Sequence, residues 1–321
     1  MEHIEGRIAV VTGGGTGMGR ELVRQLAKAG CHVATCDVMS STLEETRALA
    51  LEDAPTGTRV TTFVADVADE AQLLAFRDSV AAEHDTTSIN LLFNNAGVGG
   101  AGSFVDDDRA AWERTFNIDW GGVYLSTRTF LAMLLAADEG HIVNTSSING
   151  VFASIGPFRP HTNYSAAKFA VRGFSEALIA DLRVNAPHVR VSVVMPGHIG
   201  TSIMINSGIV HGKEPDSLNE EDLVKLRRQL AAGGTPVDDV ADEDLRKAVA
   251  MVGEEFRDLA PLTAASAAQI IIDGVRQNKW RILVGEDAVI MDQMVRDDPE
   301  GAYEPEFWRA LQAKGLFGAF A

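Results

Sequence analysis

The amino-acid sequence predicts an α/β fold in which a doubly wound parallel sheet of about seven strands is flanked by helices. Short apolar runs rich in β-branched residues alternate with segments of helical periodicity. The apolar runs are continuous rather than alternating, which is typical of strands buried on both faces. They occupy residues 7–13, 32–38, 59–66, 89–95, 141–147, 189–197 and 280–285.

The first apolar run leads into a glycine-rich stretch, VVTGGGTGMGRELVRQLAKAG, at residues 10–30. We expect a strand that ends at Thr12, a turn containing Gly13, Gly17 and Gly19, and a helix that begins near Gly17. Free N–H groups and the positive end of the helix dipole would then face a backbone that a ligand can approach closely, which favours a pyrophosphate site. Alternatively, the glycines serve only tight packing between strand and helix.

The second predicted strand ends in Asp37, 18 residues after Gly19. A carboxylate at this position can bind both hydroxyls of an adenosine ribose, and its charge would repel a 2′-phosphate. Neither Val38 nor Met39 is basic. We therefore expect NAD as the cofactor in preference to NADP.

The fifth apolar run ends in hydroxyl side chains that include Ser147, and the motif YSAAK follows at residues 164–168. Tyr164 and Lys168 are four residues apart at the start of a helical run, so their side chains share one face. The lysine ammonium is expected to lower the phenol pKa from about 10 toward the working pH, which suits a general acid/base. Ser147 would orient a substrate oxygen, or it serves only as a turn hydroxyl that caps backbone groups.

Residues 202–262 contain no strand-like run, and we expect a helical insertion there. Apolar residues from Leu245 to Leu259 recur at helical spacing and predict one amphipathic helix. This insertion either packs on the main body or forms a lid over a substrate cleft. Residues 286–321 form a C-terminal extension that we expect to dock on the body or on a neighbouring subunit, since its aromatic residues are Tyr303, Phe307, Trp308, Phe317 and Phe320.

Composition narrows the class of protein. The chain has 321 residues, 46% hydrophobic and 23% charged, which fits a globular protein that we expect to form one domain over residues 1–321. A net charge of −17 argues against nucleic acid as a partner. The start of the sequence lacks a signal-peptide layout, and no apolar run is long enough to span a membrane, so we expect a cytoplasmic protein. Cys31 and Cys36 are expected to be buried thiols, and no residues with metal-ligand spacing are evident.

Taken together, the motifs resemble those of the short-chain dehydrogenase/reductase family. They are TGxxxGxG at residues 12–19, Asp37, ADV at 65–67, NNAG at 94–97, Ser147, YSAAK, and MPGHIGT at 195–201. The resemblance implies a Rossmann-type sheet with strand order 3-2-1-4-5-6-7 and an NAD(P)-dependent enzyme that interconverts a secondary alcohol and a ketone. It also implies a homodimer or homotetramer formed by the helices near residues 109–137 and 162–185.

The resemblance assigns site residues as well. Ser147, Tyr164 and Lys168 would be catalytic, and the last two would also contact the cofactor. The remaining cofactor contacts that it implies are Gly13, Thr16, Gly17, Met18, Gly19, Asp37, Asp66, Val67, Asn95, Ala96, Gly97, Pro196, Gly197, Ile199 and Thr201.

The sequence departs from the family pattern where the family has a catalytic asparagine. The segment FNIDWGGVY aligns Asp119 with that position and leaves Asn117 two residues earlier. Two residues correspond to about 200° of rotation along a helix, so we expect Asp119 to take the role. An aspartate could hold the water of the family's proton relay, and its charge would raise the lysine pKa. The alternative is an NAD(H)-binding sensor or structural subunit that has lost turnover.

A second departure is the 17-residue interval between Ser147 and Tyr164, which is longer than is usual for the family. The additional residues fall in a loop that contains Pro157 and Pro160. We expect this loop and the residues after Thr201 to form an apolar wall for a hydrophobic substrate, although the same side chains would also serve as core anchors. The wall consists of Phe152, Ile155, Phe158 and Met204, with Ile203 and Ile205 beside them.

Overall fold

The computed structural model describes residues 1–100, 102–156, 159–232, 234–235 and 237–316. Its strands, in chain order, are β1 (Ile8–Thr12), β2 (His32–Asp37), β3 (Val60–Val64), β4 (Leu91–Asn94), β5 (Gly140–Thr145), β6 (Val189–Pro196), β7 (Ile199–Gly200), β8 (Leu262–Thr263) and β9 (Arg281–Val284).

Seven of these strands form one parallel sheet with the order β3-β2-β1-β4-β5-β6-β9. The register pairs Val11 with Thr35 on one side of β1 and with Phe93 on the other. β7 and β8 pair with each other in a separate two-stranded sheet. The Rossmann-type prediction is confirmed, because β9 is the seventh strand that the sequence predicts at residues 280–285.

The helices are α1 (Gly17–Lys28), α2 (Ser40–Glu52), α3 (Glu70–His84), α4 (Arg109–Phe116), α5 (Gly122–Leu135), α6 (Thr162–Asn185), α7 (Ile203–His211), α8 (Glu220–Ala232), α9 (Asp242–Asp258), α10 (Ala264–Arg276), α11 (Glu286–Asp297) and α12 (Pro305–Ala313). Among the described residues, no helix combines the length and the apolar character needed to cross a bilayer.

The sheet separates two cores. On one face, strand residues pack with α1 and α10 through side chains such as Leu22 and Ile271. On the other face, they pack with α3, α5 and α6 through side chains such as Phe76 and Phe130. Cys31 belongs to the first core and Cys36 to the second, and both are free thiols. Burial raises the pKa of Cys31 to about 12.

The segment between β7 and β8 is helical, as the sequence predicts, and consists of α7, α8 and α9 with a short 3₁₀ turn at Pro215–Ser217. Leu223, Val237 and Leu245 form a small core of their own. The periodicity of α9 is only partly used for packing, because Leu245 is buried whereas Val252 and Leu259 are exposed. The packing therefore leaves α9 more exposed than an amphipathic pattern alone indicates.

The C-terminal extension docks on the body of this same chain. Phe307, Trp308 and Leu311 of α12 are buried together with Phe152 and with residues of β6 and α11. Phe317 and Phe320 lie outside the described residues. The described part of the extension thus docks on the body, which is one of the two expected arrangements.

Candidate active site

The glycine-rich turn between β1 and α1 has the geometry of a ligand cradle. Gly13 and Gly17 adopt φ angles of +68° and +54°, which favour glycine. A Cβ atom at Gly19 would lie 1.9 Å from the carbonyl oxygen of Gly13, so only glycine fits there. The N-cap residue Thr16 makes no side-chain capping bond to α1, which leaves the positive helix terminus to a ligand. The turn can therefore hold the pyrophosphate of a dinucleotide.

A cleft extends from this turn along the carboxyl edge of the sheet. Many residues that the sequence analysis assigns to cofactor binding line it: Gly13, Thr16, Gly17, Met18, Gly19, Asp37, Asp66, Val67, Asn95, Ala96, Gly97 and Thr201. Residues from five separate segments of the chain thus line one cavity, as is expected at the switch point of a doubly wound sheet.

Asp37 lies in this cleft and is held by backbone N–H groups. Gly15 N donates to its Oδ2 at 2.9 Å, and Met39 N donates to its Oδ1 at 3.2 Å. The carboxylate is therefore fixed at the end of β2, next to the glycine turn. Its negative charge at this place suits ribose hydroxyls, which donate hydrogen bonds, better than a phosphate.

The NNAG segment after β4 braces the glycine turn. Asn95 Nδ2 donates to the carbonyl oxygens of Thr12 and Gly13, both at 3.2 Å. The backbone N–H groups of Asn95 and Ala96 donate to Thr12 Oγ1 at 3.1 Å. The side chain of Asn95 thus has a structural role, while the backbone of Asn95 to Gly97 lines the cleft.

Five predicted cofactor contacts are not among the described residues that line the cleft, namely Tyr164, Lys168, Pro196, Gly197 and Ile199. The last three pack against the body of the protein. Ile199 is buried in the first core. Pro196 ends β6, and a Cβ at Gly197 would lie 2.2 Å from the carboxylate oxygens of Asp287. Of the motif MPGHIGT at residues 195–201, Thr201 therefore lies in the cleft beside Gly17, while Pro196, Gly197 and Ile199 pack against the body.

The side chains of Ser147, Tyr164 and Lys168 meet at the carboxyl end of β5. The Ser147 hydroxyl interacts with the Tyr164 phenol and acts to lower the pKa of that phenol. Lys168 Nζ lies 5.3 Å from the centre of the Tyr164 ring and donates to the carbonyl oxygen of Thr145 at 3.3 Å. Ser147 also accepts a hydrogen bond from Asn149 N at 3.1 Å, so its hydroxyl caps a backbone group, while the predicted contact with a substrate oxygen stays a prediction.

Asp119 is brought to this cluster by a π-helical segment, Asn117–Gly121, between α4 and α5. Such segments occur frequently at functional sites. Asp119 Oδ1 lies 3.1 Å from Lys168 Nζ and accepts a hydrogen bond from Val98 N at 3.2 Å. Its Oδ2 is buried and has no hydrogen-bond partner among the described residues. Asn117 is exposed, so the structure pairs the lysine with Asp119 and not with the neighbouring asparagine.

The pKa values of the cluster differ in part from expectation. Burial opposes the charge on Lys168, but Asp119 and then Tyr164 outweigh burial and raise its pKa, as the sequence predicts. The pKa of Tyr164 is raised rather than lowered: burial raises it, Lys168 lowers it, and Asp119 raises it again. The expected lowering of the phenol pKa is therefore wrong for this arrangement, because burial, and then the Asp119 carboxylate, outweigh the effect of the Lys168 ammonium.

Gly97 joins the catalytic cluster to the cofactor cleft. It lines the cleft, and a Cβ at this position would lie 2.5 Å from Asp119 Oδ1 and 3.3 Å from Lys168 Nζ. The side-chain cluster of Tyr164, Lys168 and Asp119 thus adjoins the cleft at Gly97.

Comparison with known proteins agrees with this geometry. The family model described as short chain dehydrogenase matches residues 7–209. The chain belongs to the short-chain dehydrogenase/reductase family. A curated relative from Mycobacterium tuberculosis, named "Putative oxidoreductase SadH", is 33% identical over 277 residues, which cover 86% of this chain and 97% of the relative.

Two solved members of the family show similar folds. The Burkholderia phymatum short-chain dehydrogenase/reductase in complex with NAD is 27% identical, has a TM-score of 0.75, and covers 95% of this chain and 98% of its own. A metagenomic short-chain oxidoreductase in complex with NADP is 29% identical, has a TM-score of 0.53, and covers 61% of this chain and 84% of its own. The fold thus accompanies either dinucleotide in these neighbours.

Two other residues that line the cleft of this short-chain dehydrogenase/reductase belong to none of the sequence motifs and were not predicted. Arg114 of α4 lines the cleft and pairs with Asp66 Oδ2 at 2.8 Å. Asn206 of α7 also lines it and donates to Thr16 Oγ1 at 2.9 Å. Arg114 and Asn206 lie on helices outside the cofactor motifs, and tertiary packing brings their side chains to the cleft.

The predicted substrate wall is divided between core and surface. Phe152 is 2% exposed, and its ring centre lies 5.2 Å from those of Tyr303 and Phe307, which is a core position. Ile155 is half-buried, and Met204 is exposed near Gly99. Phe158 lies outside the described residues. His161 stacks beside Tyr164 with 4.8 Å between ring centres and is a further candidate for contact with substrate.

Proposed function

We propose that this short-chain dehydrogenase/reductase is an NAD-dependent alcohol dehydrogenase or carbonyl reductase that interconverts a hydrophobic secondary alcohol and its ketone. The observation that carries the proposal is the contact of Ser147, Tyr164 and Lys168 at the edge of a cleft that begins at the glycine turn. The bound dinucleotide would supply or accept the hydride. The chain's own residues would hold the substrate oxygen and move one proton.

In the reductive direction, Ser147 donates a hydrogen bond that orients the ketone oxygen. Tyr164 donates its phenolic proton to that oxygen as the carbon receives the hydride. The raised pKa of Tyr164 keeps the phenol protonated at neutral pH, which suits this direction. In the oxidative direction, the phenolate must form first, so that rate increases as the pH rises.

Asp119 and Lys168 supply the electrostatic setting for Tyr164. Lys168 favours the phenolate, and Asp119 at 3.1 Å from its Nζ moderates that effect. The unpartnered Oδ2 of Asp119 would hold a water on the proton path to the lysine. Asp119 thus takes the place of the family asparagine and shifts the pH range of the reaction.

The preference for NAD over NADP is supported by Asp37. Its carboxylate is fixed by two backbone donors at the place where the adenosine ribose would lie, and a 2′-phosphate would meet its charge. The Burkholderia phymatum neighbour, solved with NAD, is consistent with this preference.

The lid and the assembly are further parts of the proposal. Asn206 contacts Thr16 on the glycine turn, while Ser207 Oγ accepts a hydrogen bond from Gly99 N at 2.6 Å. α7 therefore spans the cleft, as a lid within a single domain would. The rings of Trp120 in the π-helical segment, Tyr124 in α5 and Phe174 in α6 form a cluster, which suits packing against a second copy in a homodimer or homotetramer.

The test follows NADH absorbance over a panel of secondary alcohols and ketones, with the wild type and Tyr164→Phe. We expect turnover by the wild type and a loss of at least about a hundredfold in the variant, with NADH affinity unchanged. NADH binding without turnover across the panel would instead favour the sensor alternative. Full activity in Tyr164→Phe would refute the proposed mechanism.

A further inference from the structure

The C-terminal segment 301–316 packs against the loop that follows Ser147. Phe152 of this loop lies between Tyr303 and Phe307, with ring centres 5.2 Å apart in each case. α12 also contributes the buried Leu311 to the same core. The family model ends at residue 209, so this contact is made by a part of the chain that the model does not match.

Two further contacts connect this segment to the backbone of the loop 151–156. The N–H of Ala153 donates to the Tyr303 hydroxyl at 3.1 Å. Gly156 adopts φ +131°, and a Cβ there would lie 3.1 Å from the Trp308 ring. The loop is therefore held by both a hydrogen bond and close aromatic packing.

Asn149 connects the loop to the catalytic serine. Its backbone N–H donates to Ser147 Oγ at 3.1 Å. Its side-chain Nδ2 donates to the carbonyl oxygens of Phe152 and Ser154 at 3.0 and 3.1 Å. Asn149 is 8% exposed, so water cannot easily replace these bonds if the amide is removed.

We propose that Asn149 and the C-terminal segment 301–316 are positioning elements that orient the Ser147 hydroxyl and the loop 151–156 toward the substrate carbonyl. The inference rests on the proposed oxidoreductase function. It goes beyond that function because it couples the C-terminal segment to substrate recognition. None of these described residues lines the cofactor cleft, so we expect dinucleotide affinity to change little when they are altered.

The experiment measures ketone reduction by Asn149→Ala and NADH affinity by fluorescence. We expect the ketone kcat/KM to fall by about tenfold or more, since two buried hydrogen bonds are lost, while NADH affinity stays within about twofold. The matched control is Asn90→Ala. Asn90 Nδ2 likewise donates two bonds, to Glu139 O and Asp138 Oδ1, but at the opposite edge of the sheet.

A milder pair of variants keeps the inference testable if Asn149→Ala does not fold. Tyr303→Phe removes only the hydroxyl that accepts from Ala153, and we expect a severalfold loss in ketone kcat/KM. Phe307→Leu is compared with Phe63→Leu, because Phe63 stacks on Phe76 at 5.6 Å away from the catalytic cluster. We expect Phe307→Leu to raise the ketone KM and Phe63→Leu to leave the ketone KM unchanged.

If the wild type turns over, this inference alone would be overturned by two results together. Ketone kinetics of Asn149→Ala and Phe307→Leu would match those of their controls, and ketone kinetics of Tyr303→Phe would match those of the wild type. A wild type without turnover would overturn the proposed function and this inference together. A parallel loss of NADH affinity in the variants would show general disruption of the site and would also overturn the positioning role.

Discussion

The carboxylate of Asp119 offers a sharp test of how the site sets its pH range. Asp119→Asn removes one charge but keeps the shape of the side chain. The amide oxygen can accept the bonds from Val98 N and Lys168 Nζ that Oδ1 accepts in the wild type. We therefore expect the variant to fold and to bind NADH.

The expected effect follows from two distances. Oδ1 lies 3.1 Å from Lys168 Nζ, and Nζ lies 5.3 Å from the centre of the Tyr164 ring. The sum of these distances places the carboxylate oxygen at most about 8.4 Å from that centre. At an effective dielectric of about 20, a charge at this distance is worth about 2 kcal/mol, or roughly 1.5 pH units.

The direction of the shift in the pH profile follows from the role of Tyr164. Asp119 opposes the phenolate, so its removal lowers the pKa of Tyr164. Alcohol oxidation needs the phenolate, and its rate rises with pH. In Asp119→Asn this rise should therefore occur at lower pH, by roughly one to two units.

The assay is the pH dependence of kcat/KM for alcohol oxidation at saturating NAD. Asp292→Asn is the control, because Asp292 is also buried and paired with cations, Arg281 and Arg296, but lies on α11. An unchanged profile in Asp119→Asn, or a shift to higher pH, would refute the electrostatic coupling of Asp119 to Tyr164.

Three other expectations concern the cofactor and stability. Asp37→Ala should narrow the NAD/NADP ratio of kcat/KM by at least about tenfold, and an unchanged ratio would exclude the ribose contact. Asn206→Ala should weaken NADH binding severalfold in a fluorescence titration if α7 closes the cleft, whereas unaltered affinity would argue against the lid. Burial lowers the pKa of His141 from 6.5 to about 3, so the unfolded state binds a proton first and stability falls as pH drops from 6.5 toward 3. Urea unfolding measures the free energy of unfolding across this pH range, and we expect it to fall less for His141→Gln than for the wild type. Equal falls in both proteins would contradict the lowered pKa of His141.

Much of the fold could be predicted from local sequence. Continuous apolar runs identify the seven strands of the sheet, since strands covered on both faces need no polar positions. The glycine turn and Asp37 could be identified because both lie within one strand–helix–strand unit, β1–α1–β2. Tyr164 and Lys168 could be paired for the same reason, since one helical turn brings them together.

The effect of Asp119 on the pKa of Tyr164 could not be predicted from the local sequence. Its alignment with the family asparagine was visible, but its effect on Tyr164 depends on the π-helical segment that buries the carboxylate against Lys168. The expected lowering of the tyrosine pKa considered the lysine alone. The sign of the shift required the positions of all charges and the degree of burial, which no spacing in the sequence contains.

The sequence by itself determined the strands, the dinucleotide turn and the pairing of tyrosine with lysine, because each depends on residues close together in the chain. The tertiary structure alone decided that α7 spans the cleft, that Arg114 enters it, and that the C-terminal segment supports the loop after Ser147. The physical reason is that contacts between distant segments are selected by which apolar faces can be buried together, and many pairings satisfy the same local pattern.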